Sequence, residues 1–242
     1  YRAQIDSGTK PEAVRAVKTT RADLEILPVG SSSIESRAWF QRLNPDGSKG
    51  FDMAAFENTL RQRKILPPDN ITDTANGVYQ TDTKQITLDT AAHSCLVATD
   101  FSAAAAMEKP KKTKLGAFEI NSLSCAGTLA IVSLDGKKLT DSKHMLLIFS
   151  TAERNKGSKF SKSGTMRFIL REEPPILLAK GEFSATLVTN AGGKFAMYPL
   201  ALNGQRREKI ALETENGRLK LDAKNYGYEN GAVAMFEIAA EN

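Results

Sequence analysis

Leu129-Ala-Ile-Val-Ser-Leu-Asp-Gly-Lys-Lys-Leu-Thr-Asp-Ser-Lys-His144-Met-Leu-Leu-Ile-Phe149 decides the fold. Two apolar runs, each too short for a packed helix, flank an Asp135-Gly136 pair, and such runs bounded by turn residues read as β-strands. The same grammar extends in both directions. Upstream lie Ile86 and Leu88, alternating with Thr87 and Asp89, then Ser94 to Val97 and Leu115-Gly-Ala-Phe-Glu-Ile. Downstream come Met166-Arg-Phe-Ile-Leu, Phe183-Ser-Ala-Thr-Leu-Val, Lys194-Phe-Ala-Met-Tyr, Lys209-Ile-Ala-Leu, Arg218-Leu-Lys-Leu and Ala232-Val-Ala-Met-Phe-Glu-Ile. Gly192-Gly193, Asn203-Gly204, Asn216-Gly217 and Asn230-Gly231 punctuate them, since glycine and asparagine supply the positive φ of tight turns. The fold class is therefore mostly β: an antiparallel β-sandwich over residues 73–242.

Residues 1–72 read differently, as a small mixed α/β segment. Pro11 to Lys18 has a helical face with Thr9 as N-cap. Asp23 to Val29 reads as a strand, and Asn44-Pro-Asp-Gly-Ser as a turn. Asp52 stands as N-cap before Met53, Phe56 and Leu60, spaced for one face of a helix that Pro67-Pro68 stops.

The chain has 242 residues, 33 Lys and Arg against 28 Asp and Glu, and a net charge of +5. That length needs no disulfide framework. No apolar run approaches the roughly 20 residues that cross a bilayer, so no membrane partner is expected. The positive charge reads as spread along the chain. Its densest cluster, Lys109, Lys111, Lys112 and Lys114, lacks interleaved aromatic residues and reads as a solvated loop between strands, so no nucleic-acid partner is expected. The start at Tyr1 reads as a chain cut from a longer protein.

Chemistry-bearing motifs are sparse. His93 and His144 have no second ligand at metal spacing, so no metal is expected. Cys95 and Cys125 read foremost as free buried thiols, with a disulfide as the second reading. No phosphate-cradling, dinucleotide, nucleophile-elbow or zincin motif occurs, and no cofactor is expected. Asn190-Ala-Gly-Gly-Lys lies between two strands and reads as a turn, and Glu172-Glu173 as a solvated loop. Nothing selects a catalytic pair among the acids. Asn70-Ile-Thr72 fits the N-glycosylation pattern. Trp39, the only tryptophan, is the candidate carbohydrate-binding residue, against the alternative of a packing anchor.

Three longer stretches carry a resemblance: Ala55–Thr90, Leu129–Gly157, and Tyr198-Pro-Leu-Ala-Leu-Asn-Gly-Gln-Arg-Arg207 with Glu215-Asn-Gly-Arg-Leu219. Ser-Leu-Asp-Gly, an apolar strand and then Arg-Asn-x-Gly follow one another in a recognisable order. Residues 55–238 resemble the region after the catalytic barrel in a group of bacterial glycoside-hydrolase-like proteins. The resemblance implies a sandwich that follows a (β/α)8 barrel. Such a barrel takes about 250 residues of alternating strands and helices and is not in this sequence. The family's catalytic acids lie on the barrel, so none carries over. The resemblance thus implies a non-catalytic accessory sandwich of a polysaccharide-degrading enzyme, with an upstream barrel and polysaccharide as partners and a secreted or periplasmic location. The alternative is an independent carbohydrate-binding module.

Overall fold

A computed structural model describes residues 53–242 except 63, 65, 157, 161–165, 168–172, 230 and 242. The helix at Pro11–Lys18, the strand at Asp23–Val29, the Asn44 turn and the Asp52 cap lie outside the described residues. The chain divides into two compact units, one up to Thr99 and the other from Asp100. The described residues are mostly antiparallel β-structure. No described helix is long and apolar enough to cross a membrane.

In the first unit, helix α1 (Met53–Gln62) ends where Lys64 takes a φ of 56°. Left-handed backbone at this place is a common helix stop. Glu57 and Arg61 pair one turn apart at 2.9 Å, and Glu57 also accepts from the Thr74 N–H at 2.9 Å. Three short strands follow, β1 (Val78–Gln80), β2 (Ile86–Asp89) and β3 (Ser94–Ala98), paired in order.

The second unit is a sandwich. Its first sheet runs in the order β4 (Ser102–Met107), β7 (Gly127–Ser133), β8 (His144–Thr151), β18 (Met235–Ala240), β14 (Phe195–Pro199) and β15 (Ile210–Leu212). The second runs β16 (Thr214–Glu215), β17 (Arg218–Lys224), β13 (Glu182–Val188), β6 (Phe118–Leu123) and β5 (Thr113–Leu115). The chain crosses repeatedly from one sheet to the other, which explains why strands close in sequence are often not paired.

Alternation buries one side of each strand, because successive side chains point to opposite faces. Met145, Leu147 and Phe149 of β8 face Phe183, Ala185 and Leu187 of β13 across the core, all nearly inaccessible. Phe183 sits edge-on between Phe149 and Phe236, at centroid distances of 5.2 and 5.5 Å. In β6, Ile120 and Leu123 are three residues apart yet both buried. A register shift against β13 between Ser184 and Ala185 absorbs the extra residue and returns Leu123 to the core.

One end of the sandwich is held by a buried amide. Asn225 is 1% exposed. Its Nδ2 donates to the Ala179 carbonyl at 2.9 Å and to Thr151 Oγ1 at 3.2 Å, while its Oδ1 accepts from the Gly181 N–H at 2.9 Å. Three segments meet there: the end of β8, the lead-in to β13 and the end of β17. Gly181 has no space for a side chain, since a Cβ would lie 2.8 Å from both Cys125 Sγ and a Phe149 ring carbon.

From this end extends a ribbon outside both sheets, made of β9 (Glu153–Lys156) and β12 (Glu173–Leu178). Beyond them β10 (Lys159–Phe160) pairs with β11 (Met166–Arg167). Two sequence readings change here. Leu115–Ile120 is not one strand: Gly116, at φ 61°, turns the chain between β5 and β6. The run Ser-Ala-Ala-Ala-Ala-Met, which alanine's weak β-propensity hides, is the full strand β4.

Asn225→Ala would leave the buried Gly181 N–H without its acceptor, at about 1–3 kcal/mol, while the Ala179 carbonyl keeps its bond from the Thr151 hydroxyl. Denaturant unfolding of the variant should show this loss with little change in m-value. Phe183→Ala should cost about 3–5 kcal/mol by emptying the centre of the core.

Candidate functional site

Strand β18 reads Met-Phe-Glu-Ile-Ala-Ala. Phe236 and Ile238 point inward, so Glu237 is placed on the outer face, where the register sets it between Leu146 of β8 and Tyr198 of β14. His144 begins β8, one row away. Arg206 arrives from the Asn203-Gly204 turn, pinned by a bridge between Leu200 and Arg206. Its guanidinium grips Glu237 with two bonds, Nε to Oε2 and Nη2 to Oε1, each 2.7 Å. The same guanidinium lies 4.4 Å from the centre of the Tyr198 ring. His144 Nε2–H donates to Oε1 at 2.6 Å.

The Glu237 side chain is only 16% exposed. Its hydrogen bond with Arg206 is the main force pulling the carboxyl down to about 2; burial opposes it and the His144 bond reinforces it. This carboxylate accepts hydrogen bonds and holds no proton to donate near neutral pH.

Arg206 also borders a concavity of about 240 Å³, lined further by Ala201, Gln205, Arg207, Glu208, Tyr228 and Glu229. Arg207 Nη1 donates to the Gly231 carbonyl at 2.7 Å, and the Tyr228 hydroxyl to the Lys224 carbonyl at 2.9 Å. Burial, and then the nearby Glu208 charge, raise the Tyr228 phenol above its usual range. The wall mixes guanidinium, carboxylate, amide and phenol, which suits a small polar ligand rather than a large apolar one.

A second carboxylate organises a loop. Burial would raise Asp135, but the Lys143 N–H, the Ser142 and Ser133 hydroxyls and the Lys137 N–H all donate to it and hold it well below the usual range. The other shifted carboxyls among the described residues also move down: Glu57, Asp69, Asp73 and Glu119.

The outer faces of the two sheets differ sharply. On the second sheet, Glu119 binds Arg218 at 2.6 Å and Lys112 at 3.0 Å, and Lys220 lies between Glu213 and Glu215. On the first, the positions between core residues carry Ala104, Ala106, Ala130, Val132, Leu146, Ile148 and Met235, all half-buried. Their register joins Ala104, Ala130, Ile148 and Met235 in one row across four strands.

Trp39 lies outside the described residues. His93 occupies the β2–β3 turn at φ 48°, far in sequence from the Glu237 cluster. Cys95 and Cys125 are free thiols, half-buried rather than fully enclosed. Among the described residues no group of three His, Cys, Asp or Glu is arranged to hold a metal ion. The lysine cluster is exposed as expected, with Lys114 inside β5 rather than in the loop. Asn70 is buried, and its Nδ2 donates to the carbonyl of Thr81 at 2.9 Å, so the atom a glycan would need is already engaged. Sequence reasoning missed Glu237 and Arg206. The available signals were one acid in an otherwise apolar strand and two arginines just after a turn.

No protein-family model, curated protein or solved structure matches this chain.

Glu237 ionises near 4.5 when unconstrained and near 2 in the folded protein. A lowered folded value stabilises above the unfolded pKa and loses that contribution as pH falls from about 4.5 to 2. Thermal melts across this window should therefore decline more steeply for the wild type than for Glu237→Gln. Parallel declines would show that the cluster adds no acid-sensitive stability. Asp135 works in the same direction, so the variant's decline should be reduced, not abolished.

Proposed function

We propose that this chain is a non-catalytic accessory β-sandwich of a polysaccharide-degrading glycoside hydrolase, which packs against a catalytic barrel. The outer face of the β4-β7-β8-β18 sheet carries this reading. A solvated antiparallel sheet alternates apolar and polar residues. The middle rows of this face instead carry Ala104, Ala106, Ala130, Val132, Leu146, Ile148 and Met235, with Ser102, Thr128, Ser150, His144 and Glu237 beside them, while the opposite sheet carries ion pairs. Small flat apolar residues suit close apposition to another domain.

The carboxyls support the accessory role as well. Glycoside hydrolysis needs an acid that keeps its proton near neutral pH, together with a second carboxylate across the bond. The acids with shifted values here move the other way, each held ionised by donors that also fix local structure. The concavity beside Arg206 favours a second reading, an independent carbohydrate-binding module, because its mixed polar wall matches the donors and acceptors of a sugar.

The pure chain should release no reducing ends from a panel of plant and algal polysaccharides. Turnover that disappears in Glu237→Gln would overturn the accessory reading. Replacing Ile148 with Lys at the centre of the apolar face should lower binding of a hydrophobic fluorescent dye while leaving the thermal midpoint within a few degrees. Unchanged dye binding would remove the face as the contact surface.

A further inference from the structure

The concavity beside Arg206 has a wall that the chain fixes by its own bonds. The turn from Ala201 to Gln205 is closed twice by backbone: the Ala201 N–H donates to the Gln205 carbonyl and the Gly204 N–H to the Ala201 carbonyl, each at 2.9 Å. Asn203 Oδ1 accepts from the Gln205 N–H at 3.1 Å. Arg206 is engaged by Glu237 and the Tyr198 ring, Arg207 by the Gly231 carbonyl, and the Tyr228 hydroxyl by the Lys224 carbonyl. Three planar side chains of the wall remain: the Gln205 amide and the Glu208 and Glu229 carboxylates. All three residues are exposed, and among the described residues these groups make no hydrogen bond or ion pair. An ionised carboxylate only accepts, and an amide oxygen accepts as well. A ligand that satisfies this wall must therefore bring hydrogen-bond donors.

We propose that this concavity binds one uncharged sugar residue of a polysaccharide, with Gln205, Glu208 and Glu229 accepting from its hydroxyls. The inference rests on the carbohydrate reading above and names the ligand's charge and size. A carboxylate or amide presents two polar atoms side by side, which matches neighbouring hydroxyls on a sugar ring. The charge of the wall disfavours the alternatives. Arg206 is matched by Glu237, and Arg207 is then outnumbered by Glu208 and Glu229, so no excess positive charge awaits an anion. An ammonium group would have to share the same small space with the Arg207 guanidinium. A neutral ligand rich in hydroxyls meets neither penalty. Tyr228 gives the wall an aromatic part, against which the apolar side of a sugar ring can pack. At about 240 Å³ the concavity is smaller than the roughly 300–1,000 Å³ of pockets that enclose drug-sized ligands, which fits one ring and not a length of chain. Arg206 belongs both to this wall and to the Glu237 cluster on the outer face of the first sheet. The bound residue thus lies at the margin of the face that the accessory reading gives to the barrel.

The test uses the full chain and isothermal titration at about 50 and 200 mM salt, because an uncharged ligand carries no Coulombic attraction for salt to screen. The uncharged probes are oligosaccharides of dextran, β-glucan, xylan and mannan. Chitosan oligomers are the cationic probe and oligogalacturonate the anionic one. The wild type should bind at least one uncharged probe, with an affinity that changes less than about twofold between the two salt concentrations. Glu208→Ala with Glu229→Ala should weaken that binding about tenfold or more, since each variant removes a charged acceptor. The thermal midpoint should not move, because neither carboxylate holds the fold together. Glu213→Ala with Glu215→Ala, which removes the same charge from the neighbourhood of Lys220, should stay within about twofold of the wild type. Unchanged affinity in the Glu208/Glu229 variant, or an equal loss in the Glu213/Glu215 control, would overturn the proposal. Binding confined to chitosan or oligogalacturonate would overturn it while leaving the carbohydrate reading standing. No heat with any probe would overturn it and remove the binding-module reading as well, and the accessory reading would then rest on the reducing-end and dye measurements.

Discussion

The amide of Asn225 is the point on which one whole end of the sandwich depends. A buried amide is costly unless its donors and acceptor are satisfied. Here satisfying them draws three distant segments together, through the Thr151 hydroxyl, the Ala179 carbonyl and the Gly181 N–H. Those contacts bring the chain into β13 at the place where Phe183 enters between Phe149 and Phe236. The aromatic packing stabilises by burial, which is non-directional and by itself selects no register. The amide is directional. Together with the missing side chain at Gly181, it selects one.

From that core outward, the two sheets meet solvent in opposite ways. One covers itself with crossed ion pairs of Glu119, Arg218 and Lys220. The other keeps an alanine-rich surface and concentrates its charge in a single knot around Glu237, where one arginine serves a carboxylate and an aromatic ring at once. A guanidinium used in both ways has little freedom left, so Arg206 is as much a part of the framework as the strands beside it. Among the described residues, the carboxylates whose pKa is shifted act as fasteners, each held ionised by donors that also fix local structure.

How much of this the sequence announces depends on the range of the interaction. Strands with strict alternation, such as Phe183–Val188, and turns marked by Asn-Gly are local features and are readable. The alanine strand β4 is not, because its place in the sheet comes from neighbours on β7 and not from its own propensity. The turn at Gly116 is hidden inside an apolar run that looks continuous. Glu237 and Arg206 are 31 residues apart, and Asn225 and Thr151 are 74 apart, so neither pairing leaves a periodic trace. Trp39 lies beyond the described residues and contributes nothing to either outcome.

The ribbon joins β8 of one sheet to β13 of the other, and those strands are held by separate ladders: β8 by β7 and β18, β13 by β6 and β17. No ladder of the sandwich passes through the ribbon. The backbone could thus be opened there without breaking any pairing that builds the core. That makes the ribbon the natural place for new chain ends in a circular permutant, for an inserted reporter domain, or for a protease nick that leaves the two halves associated.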